Sequence, residues 1–388
     1  MPSQHALLSP SAAHRWLNCT AAPRLEAGQP DAGSDYAREG TLAHAYCAKH
    51  LKTYLGQSTA AEDKEIVEYF DQYHTGEMDE YTDTYRTIVL ERFNAARAHT
   101  ADAQLLVEVR LDFSRWVPDA FGTGDAAIIA DGILDIIDFK YGKGVRVEAQ
   151  DNPQMKIYAL GAYEAYSFEY NIQRVRMTIV QPRLDNLSTA EMSVEDLLAW
   201  ADAELAPKAK QAYAGDGPQV PGDWCQFCKV KHACKALAKT CMEPAITKPN
   251  PNLLTPAELA RDVLPLLDTV ATWLKGVQEY TLAQALAGTE YPGFKLVAGR
   301  SNRKITDTEA AKKALLDAGF AEDAIMKPQE MRGITDLEKV VGKKRFGVIC
   351  KDWIVKPQGK PTLVPESDSR AAYDPAADDF AGIDTNQE

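Results

Sequence analysis

Three short runs between residues 122 and 140 combine carboxylates, glycines and a lysine at spacings suited to holding a divalent cation. They read Gly122-Thr123-Gly124-Asp125, Asp131-Gly132 and Asp138-Phe139-Lys140. Asp131-Gly132 lies between two apolar runs, a strong signal for a two-residue hairpin loop. With that loop, Ala130 faces Ile133, and the same register sets Asp125 directly opposite Asp138. Facing residues of an antiparallel pair point to one side, with Cβ atoms about 4.5–5.5 Å apart. Two carboxylates that close repel unless a proton or a cation sits between them. Residues two apart share a face, so Lys140 joins the pair while Asp135 points the other way. Two hard oxygen ligands with positions left for water suit Mg²⁺ or Mn²⁺. A neighbouring ammonium can orient an attacking water and neutralise charge growing on a phosphorane, which is the chemistry of phosphodiester hydrolysis. The D-x-K triplet is common, and taken alone it reads first as a charged hairpin face with one salt bridge.

Three further features favour the metal reading. Glu108 interrupts the apolar run Leu105-Leu106-Val107-Glu108-Val109, where a buried acid needs a partner. Gln154 and Tyr158 are four apart on a predicted helix and share one face, within reach of a phosphate or a metal-bound water. Gly40 and His44 are also four apart; a neutral imidazole can complete a metal's ligand set and the glycine permits close approach.

The cysteines form a second constellation. Cys225, Cys228 and Cys234 give the spacing C-x₂-C-x₅-C, in which a C-x₂-C turn sets two sulfurs on one metal or cluster. A fourth ligand is required, and Cys19, His232 and Cys241 are available. Cys47, Cys241 and Cys350 otherwise read as small core residues or free thiols. The total of seven is odd, and in a reducing compartment thiols and metal ligands are expected over disulfides.

These groups must be carried by an α/β scaffold. Ser9-Pro10 predicts a helix start running through Trp16, and a second helix spans about 35–55. A third, acidic from Glu62 to Asp83, is expected to continue to about Ala98 as one long solvent-facing helix. The period then switches: 105–110, 126–129, 133–137 and 175–180 read as strands. Helices are predicted at about 152–166, 192–213 and 255–286, with no internal repeat.

The chain has 388 residues, 45% hydrophobic and 26% charged, enough for a core plus an appended module and outside collagenous, disordered or disulfide-scaffold compositions. A net charge of −13 excludes a polycation that coats nucleic acid by bulk attraction. Charge is uneven: residues 1–289 carry −12, 290–360 carry +5 and 361–388 carry −6. The basic stretch clusters Arg300, Arg303, Lys343, Lys344 and Arg345, cations expected to meet a nucleic-acid backbone or else to balance the acidic body. Lys143 and Arg146, just after the D-F-K triplet, are better placed to meet a phosphate near the metal. The acidic end is expected to stay solvated and disordered. The N-terminal sequence has no signal-peptide pattern and no run approaches a membrane span, so a cytoplasmic location without membrane contact is expected.

Taken in order, Gly40-Thr-Leu-Ala-His44, Gly124-Asp125, Asp138-Phe139-Lys140 and Gln154-Met-Lys-Ile-Tyr158 resemble the motifs of RecB-like PD-(D/E)XK nucleases over about residues 9–240. The resemblance implies a restriction-endonuclease-like core, a central mixed sheet flanked by helices. It implies a catalytic metal on His44, Asp125, Asp138 and the carbonyl of Phe139, with Lys140 as catalytic lysine and Gln154 and Tyr158 completing the site. Glu108 fits this pattern only loosely. The iron–sulfur subset of these nucleases is similar in its cysteines, which implies Cys19 as the fourth ligand of a [4Fe–4S] cluster; a Zn²⁺ site using His232 is the competing reading. A cluster joining Cys19 to Cys225 would close a loop of about 200 residues and serve structure.

The chain is also similar to a phage- and prophage-encoded RecB-like group, which implies DNA hydrolysis, by exonuclease action, in phage replication or recombination, with the proteins of those processes as partners. A binding or scaffold protein on a nuclease fold, and a DNA-end trimming nuclease like the CRISPR-associated relatives, are the competing functions. The expected organisation is a nuclease domain over 1–245, a helical linker over 246–289, a basic α+β module over 290–365 and an acidic tail over 366–388.

Overall fold

The computed structural model describes residues 6–29, 35–242, 256–294, 312–313, 316–317 and 333–354. Its centre is a five-stranded mixed sheet in the order β1-β2-β3-β4-β5: β1 Gln104–Asp112, β2 Phe121–Ala130, β3 Gly132–Phe139, β4 Ile172–Gln181 and β5 Asn186–Ser193. Only β3 and β4 run parallel; the other neighbours are antiparallel. The hairpin register is the one read from Asp131-Gly132, with Ala130 facing Ile133 and Ala126 facing Ile137. Gly132 takes φ +82°, a backbone open to glycine and strained for most other residues.

Helices cover both faces of the sheet. A 3₁₀ turn at Pro10–Ala12 leads into α1 Ala13–Asn18, followed by α2 Ala22–Glu26, α3 Asp35–Tyr54, α4 Ala60–Tyr73 and α5 Gly76–His99. The parallel crossover from β3 to β4 is α6 Pro153–Tyr166, which starts because Asn152 accepts hydrogen bonds from the Gln154 and Met155 backbone N–H groups and Pro153 has no N–H to satisfy. After β5 come α7 Val194–Trp200, a π-helical turn and α8 Ala206–Ala214. One face packs Leu134, Ile136, Met177 and Ile179 against α1, α6, α7 and α8; the other packs Ile128, Ile137 and Phe139 against Leu42 and Leu51 of α3 and Tyr85, Val89 and Phe93 of α5. The central strands β2 and β3 are therefore largely apolar on both faces, as expected for strands buried on both sides.

Two expectations need correction. The acidic stretch is not one helix: the chain breaks at His74-Thr75, where the Thr75 hydroxyl caps Met78 N–H and starts α5 afresh. Nor is it wholly solvent-facing, because α5 buries Met78, Tyr81, Tyr85, Val89 and Phe93 against the sheet. The edge strand β5 was absent from the sequence reading; its alternation Leu-Ser-Thr-Ala-Glu-Met-Ser leaves one half-exposed face and lacks the aliphatic run that marks the other strands.

Beyond the sheet, α9 Lys235–Met242 follows the cysteine segment, and one-turn pieces over residues 256–266 lead into α10 Leu267–Leu286. α10 docks on the cysteine segment: Tyr280 stacks on His232 with ring centroids 3.7 Å apart. The described residues of the basic region form α11 Ile334–Val341 and α12 Lys343–Cys350, with no strand among them. Arg300, Arg303 and the tail over 366–388 lie outside the described residues. No helix among the described residues is long and apolar enough to cross a membrane.

Candidate active site and cysteine centre

Side chains from α3, β1, β2, β3 and α6 converge on one cavity of about 800 Å³, lined by His44, Glu108, Asp125, Asp138, Lys140, Gln154 and Tyr158. The β2–β3 ladder ends at Ala126 and Ile137, and its register continued by one step sets Asp125 opposite Asp138. There the strands part, and the Phe139 N–H turns to donate to Asp125 Oδ2 at 2.7 Å. Asp135 points to the other face, where Arg92 and Arg176 hold it at 3.1 and 3.3 Å.

Asp138 is 3% exposed. Its Oδ1 accepts from Gln154 Nε2 at 3.0 Å, and its Oδ2 lies 2.9 Å from Lys140 Nζ yet accepts no aligned hydrogen bond. Lys140 Nζ in turn donates to Gln154 Oε1 at 3.0 Å, so the amide fixes both charged groups. Burial disfavours the ammonium, but Asp138 and Asp125 outweigh it and raise its pKa, keeping the charge. Burial raises the pKa of Asp138, with Lys140 opposing and Asp125 reinforcing the rise. Asp125 moves the other way: burial works against its charge, while His44 and the Phe139 N–H hold the carboxyl below its ordinary range. Two facing carboxylates with opposed shifts mark unequal roles. Tyr158 is raised by burial and by both aspartates, and its phenol stays protonated.

On the opposite wall, His44 Nδ1 lies 3.3 Å from Asp125 Oδ1. Burial alone would lower this imidazole, yet Asp125, Asp138 and Glu108 lift it to about 9. Glu108, opposite Asp125 by the register that pairs Val107 with Ala126 and Val109 with Gly124, is pushed to about 7 by burial and then by Asp125. One ligand atom each from His44, Glu108 and Asp125 lie within 4.8 Å of one another. Gly40, one turn before His44, also lines the cavity.

Sequence reasoning missed part of the lining. Lys52, two turns after His44 on α3, pairs with Glu62 of α4, and Glu65 lies beside them. The α3–α4 packing brings in Glu62 and Glu65, which no local pattern marked; Lys52 shares the His44 face of α3 by helical spacing. Ser11, at the N-terminal turn, also reaches the cavity.

Among the described residues, the other predicted cations fall outside it. Lys143 and Arg146 are exposed on the loop after β3, and Arg146 pairs with Glu148 at 2.6 Å. Lys343 lies 3.4 Å from Asp185, and Lys344 donates its backbone N–H to Glu80 and its Nζ to Thr84, contacts that dock α12 on α5. Arg345 is exposed.

The four predicted cysteine ligands line one small void with Arg15, Trp224 and Leu237. Val220 N–H points at Cys19 Sγ at 3.4 Å and Gly222 N–H at Cys225 Sγ at 3.5 Å, donors of the kind that stabilise metal-bound thiolates. Burial pushes the Cys228 thiol up to about 12, and Glu26 adds to the push. Of the rival fourth ligands, neither His232, which stacks on Tyr280, nor Cys241 lines the void. No three of these sulfurs lie within 4.8 Å of one another. The segment is tied to the N-terminal helices by Arg15, which pairs with Glu26 at 3.0 Å and donates to the Phe227 carbonyl at 3.2 Å. Glu26 also accepts from Lys229 N–H at 2.6 Å. Cys47 is buried in α3, as the plain reading expected.

A solved structure described as "Crystal structure of SSO0001" is similar at 12% identity, over 58% of this chain and 96% of that one, with a TM-score of 0.24. The family described as "Protein of unknown function (DUF2800)" matches residues 5–371, nearly the whole length, and the chain belongs to that family.

Proposed function

We propose that the protein is a metal-dependent DNA nuclease on a PD-(D/E)XK core. The observation that carries this is the convergence, in one cavity, of Asp125, Asp138, Lys140, Gln154, Tyr158 and His44 from four separate elements. The donor set fits a hard divalent cation: oxygen ligands dominate, and the buried Asp138 Oδ2 has no aligned hydrogen bond. Asp125, Asp138, His44 and the Phe139 carbonyl would hold Mg²⁺ or Mn²⁺, which would supply Lewis-acid polarisation of a phosphoryl oxygen and a more acidic water.

The chain's own groups account for the rest. Lys140 Nζ, kept charged, neutralises the extra negative charge on the phosphoryl oxygens and orients the attacking water by hydrogen bonding. Gln154 fixes the lysine and Asp138 in one plane of approach, and Tyr158 Oη donates toward the phosphate from one turn further along α6. Lys143 and Arg146 on the adjoining loop receive the DNA backbone at the mouth of the site. Exonuclease action at DNA ends, in replication or recombination, is the preferred mode.

The four cysteines serve as a structural [4Fe–4S] clip. A tetrahedral zinc on the same four sulfurs is the competing occupant, and iron and zinc analysis of the purified protein separates the two.

The test is release of labelled fragments from linear single-stranded and duplex DNA with Mn²⁺. Asp138→Ala is expected to lose at least about a hundredfold in rate, and Lys140→Met to lose a similar factor while still binding Mn²⁺. Wild-type protein that carries its cluster, binds DNA and cleaves nothing would turn the reading to a binding protein.

A further inference from the structure

Charge is divided around the rim of the cavity. α4, which supplies Ala61, Glu62 and Glu65 to its wall, carries five acids and one lysine. A polyanion held in the site is repelled along that side. The N-terminal turn builds a different part of the rim. Ser11 lines the cavity there, and Arg15 stands one helical turn further along the same run of 3₁₀ and α1 residues. The Arg15 guanidinium donates to the Phe227 carbonyl at 3.2 Å. The cysteine segment therefore begins within one helical turn and one arginine side chain of the rim.

From Trp224 to Met242 the chain has four lysines and no acid, within a molecule of net charge −13. Lys231 is turned inward: it donates to the Gln226 carbonyl at 2.7 Å, and a Cβ at Gly276 of α10 would meet its Cε at 3.3 Å. Lys229, Lys235 and Lys239 are exposed, and Phe227, two residues before Lys229, is 61% exposed. The acids that reach this segment are engaged elsewhere. Glu26 pairs with Arg15 at 3.0 Å and accepts from the Lys229 N–H, and Asp223 faces His14 at 3.6 Å. Exposed ammonium groups suit phosphates, and an exposed ring offers a face on which an unpaired base can stack. An acidic peptide would use the lysines and leave the ring in water; a duplex keeps its bases stacked on one another.

We infer that Phe227, Lys229, Lys235 and Lys239 form a binding surface for single-stranded DNA, reached from the active-site cavity past Ser11 and Arg15. The inference deepens the nuclease reading and rests on it for the identity of the anion. A strand with one phosphate at Lys140 continues past the N-terminal turn, stacks a base on Phe227 and lays its next phosphates on the lysines. Phe227 sits between Cys225 and Cys228, so a cluster on those sulfurs would fix the backbone on both sides of the ring and lower the cost of ordering it on binding.

The experiment measures binding of a fluorescent single-stranded oligodeoxynucleotide to the full cluster-bearing chain, by anisotropy over a salt series without added divalent cation. Phe227→Ala should weaken binding by about five- to a hundredfold, and weaken duplex binding far less. Lys235→Ala with Lys239→Ala should weaken it at least about tenfold and reduce the slope of log affinity against log salt by about 1.4, two phosphate contacts on a single strand. Lys235→Arg with Lys239→Arg should restore both, which separates charge loss from misfolding. Lys64→Ala with Arg97→Ala, the same charge change at exposed positions of α4 and α5, should alter affinity less than about twofold. A wild type that binds no single-stranded DNA, unchanged affinity in either the phenylalanine or the lysine variant, or an equal loss in the control pair overturns the inference. Equal loss of duplex binding in Phe227→Ala overturns the single-strand assignment. Cleavage of labelled DNA with Mn²⁺ decides the nuclease reading separately. A wild type that cleaves while these variants bind as it does sinks the surface alone; binding through these residues without cleavage sinks the enzyme alone.

Discussion

Replacing Glu108 should stabilise the ion-free protein, by an amount that depends on pH. In the fold its carboxyl loses a proton near 7, against 4.5 for an ordinary glutamate. Between those values the unfolded chain has released a proton that the folded chain keeps, so stability falls as pH rises from 4.5 through 7 and the full penalty stands above that. The gap corresponds to roughly 3 kcal/mol at pH 8, trimmed to about 2 by the partial solvent access of the side chain. Glu108→Gln removes this penalty and keeps the strained backbone at φ +50°: it should gain about 2 kcal/mol at pH 8 and almost nothing at pH 4.5. Glu108→Gly also relieves the left-handed strain, about 1–2 kcal/mol, less about 0.5–1 kcal/mol for a freer unfolded chain. It should therefore exceed the glutamine variant by about 0.5–1 kcal/mol at both pH values. Urea denaturation with a chelator present measures all four numbers. A Glu108→Gln protein less stable than wild type at pH 8, or equally shifted at both pH values, would refute the argument.

Other outcomes follow from the same geometry. In ion-free protein His44 titrates near 9, against 6.5 when free, so its contribution to stability is complete below 6.5 and disappears as pH rises through 9; His44→Gln should flatten that slope in a pH series of melts. The same proton must leave before the ring binds metal, so Mn²⁺ affinity should rise with pH over this range. Cys19→Ser should cost the iron–sulfur absorbance and lower the melting temperature well beyond the effect of Cys350→Ser, and iron analysis of both proteins checks it. Asp135→Ala should cost about 2–3 kcal/mol by leaving Arg92 and Arg176 without their shared carboxylate, while cleavage per folded molecule stays unchanged.

The residues showed how much of this site a sequence can carry. The hairpin register was legible because Asp131-Gly132 fixes a loop of two and strand alternation does the rest, which brought Asp125, Asp138 and Lys140 to one side and sent Asp135 to the other. The pairs Gly40–His44 and Gln154–Tyr158 were legible through helical spacing. Glu108 was flagged as a misfit acid, but nothing in its residue type reports a left-handed φ, which neighbouring packing imposes. Glu62 and Glu65 were invisible because they enter through the packing of α4 on α3, a contact no local spacing encodes, whereas Lys52 stands two turns beyond His44 on the same helix and was within reach of the spacing argument. The break between α4 and α5 was written in Thr75-Gly76, a cap signal overshadowed by the run of acids around it. At α12 the basic cluster looked like a nucleic-acid patch, yet Lys343 and Lys344 meet Asp185, Glu80 and Thr84 of their own chain.

Arg15, Glu26 and Cys19 at the start of the sheet domain meet Phe227, Lys229 and Val220 at its end. A domain whose entrance and exit coincide behaves as a cassette. It can sit within a larger assembly, or be joined end to end and reopened elsewhere, without any strand changing its neighbours. The helices beyond residue 256 hold to this domain at separate points, α10 through the Tyr280–His232 stack and α12 through Lys344 on Glu80 and Thr84 of α5, so a pull on them reaches the cysteine segment and α5 before it reaches the strands.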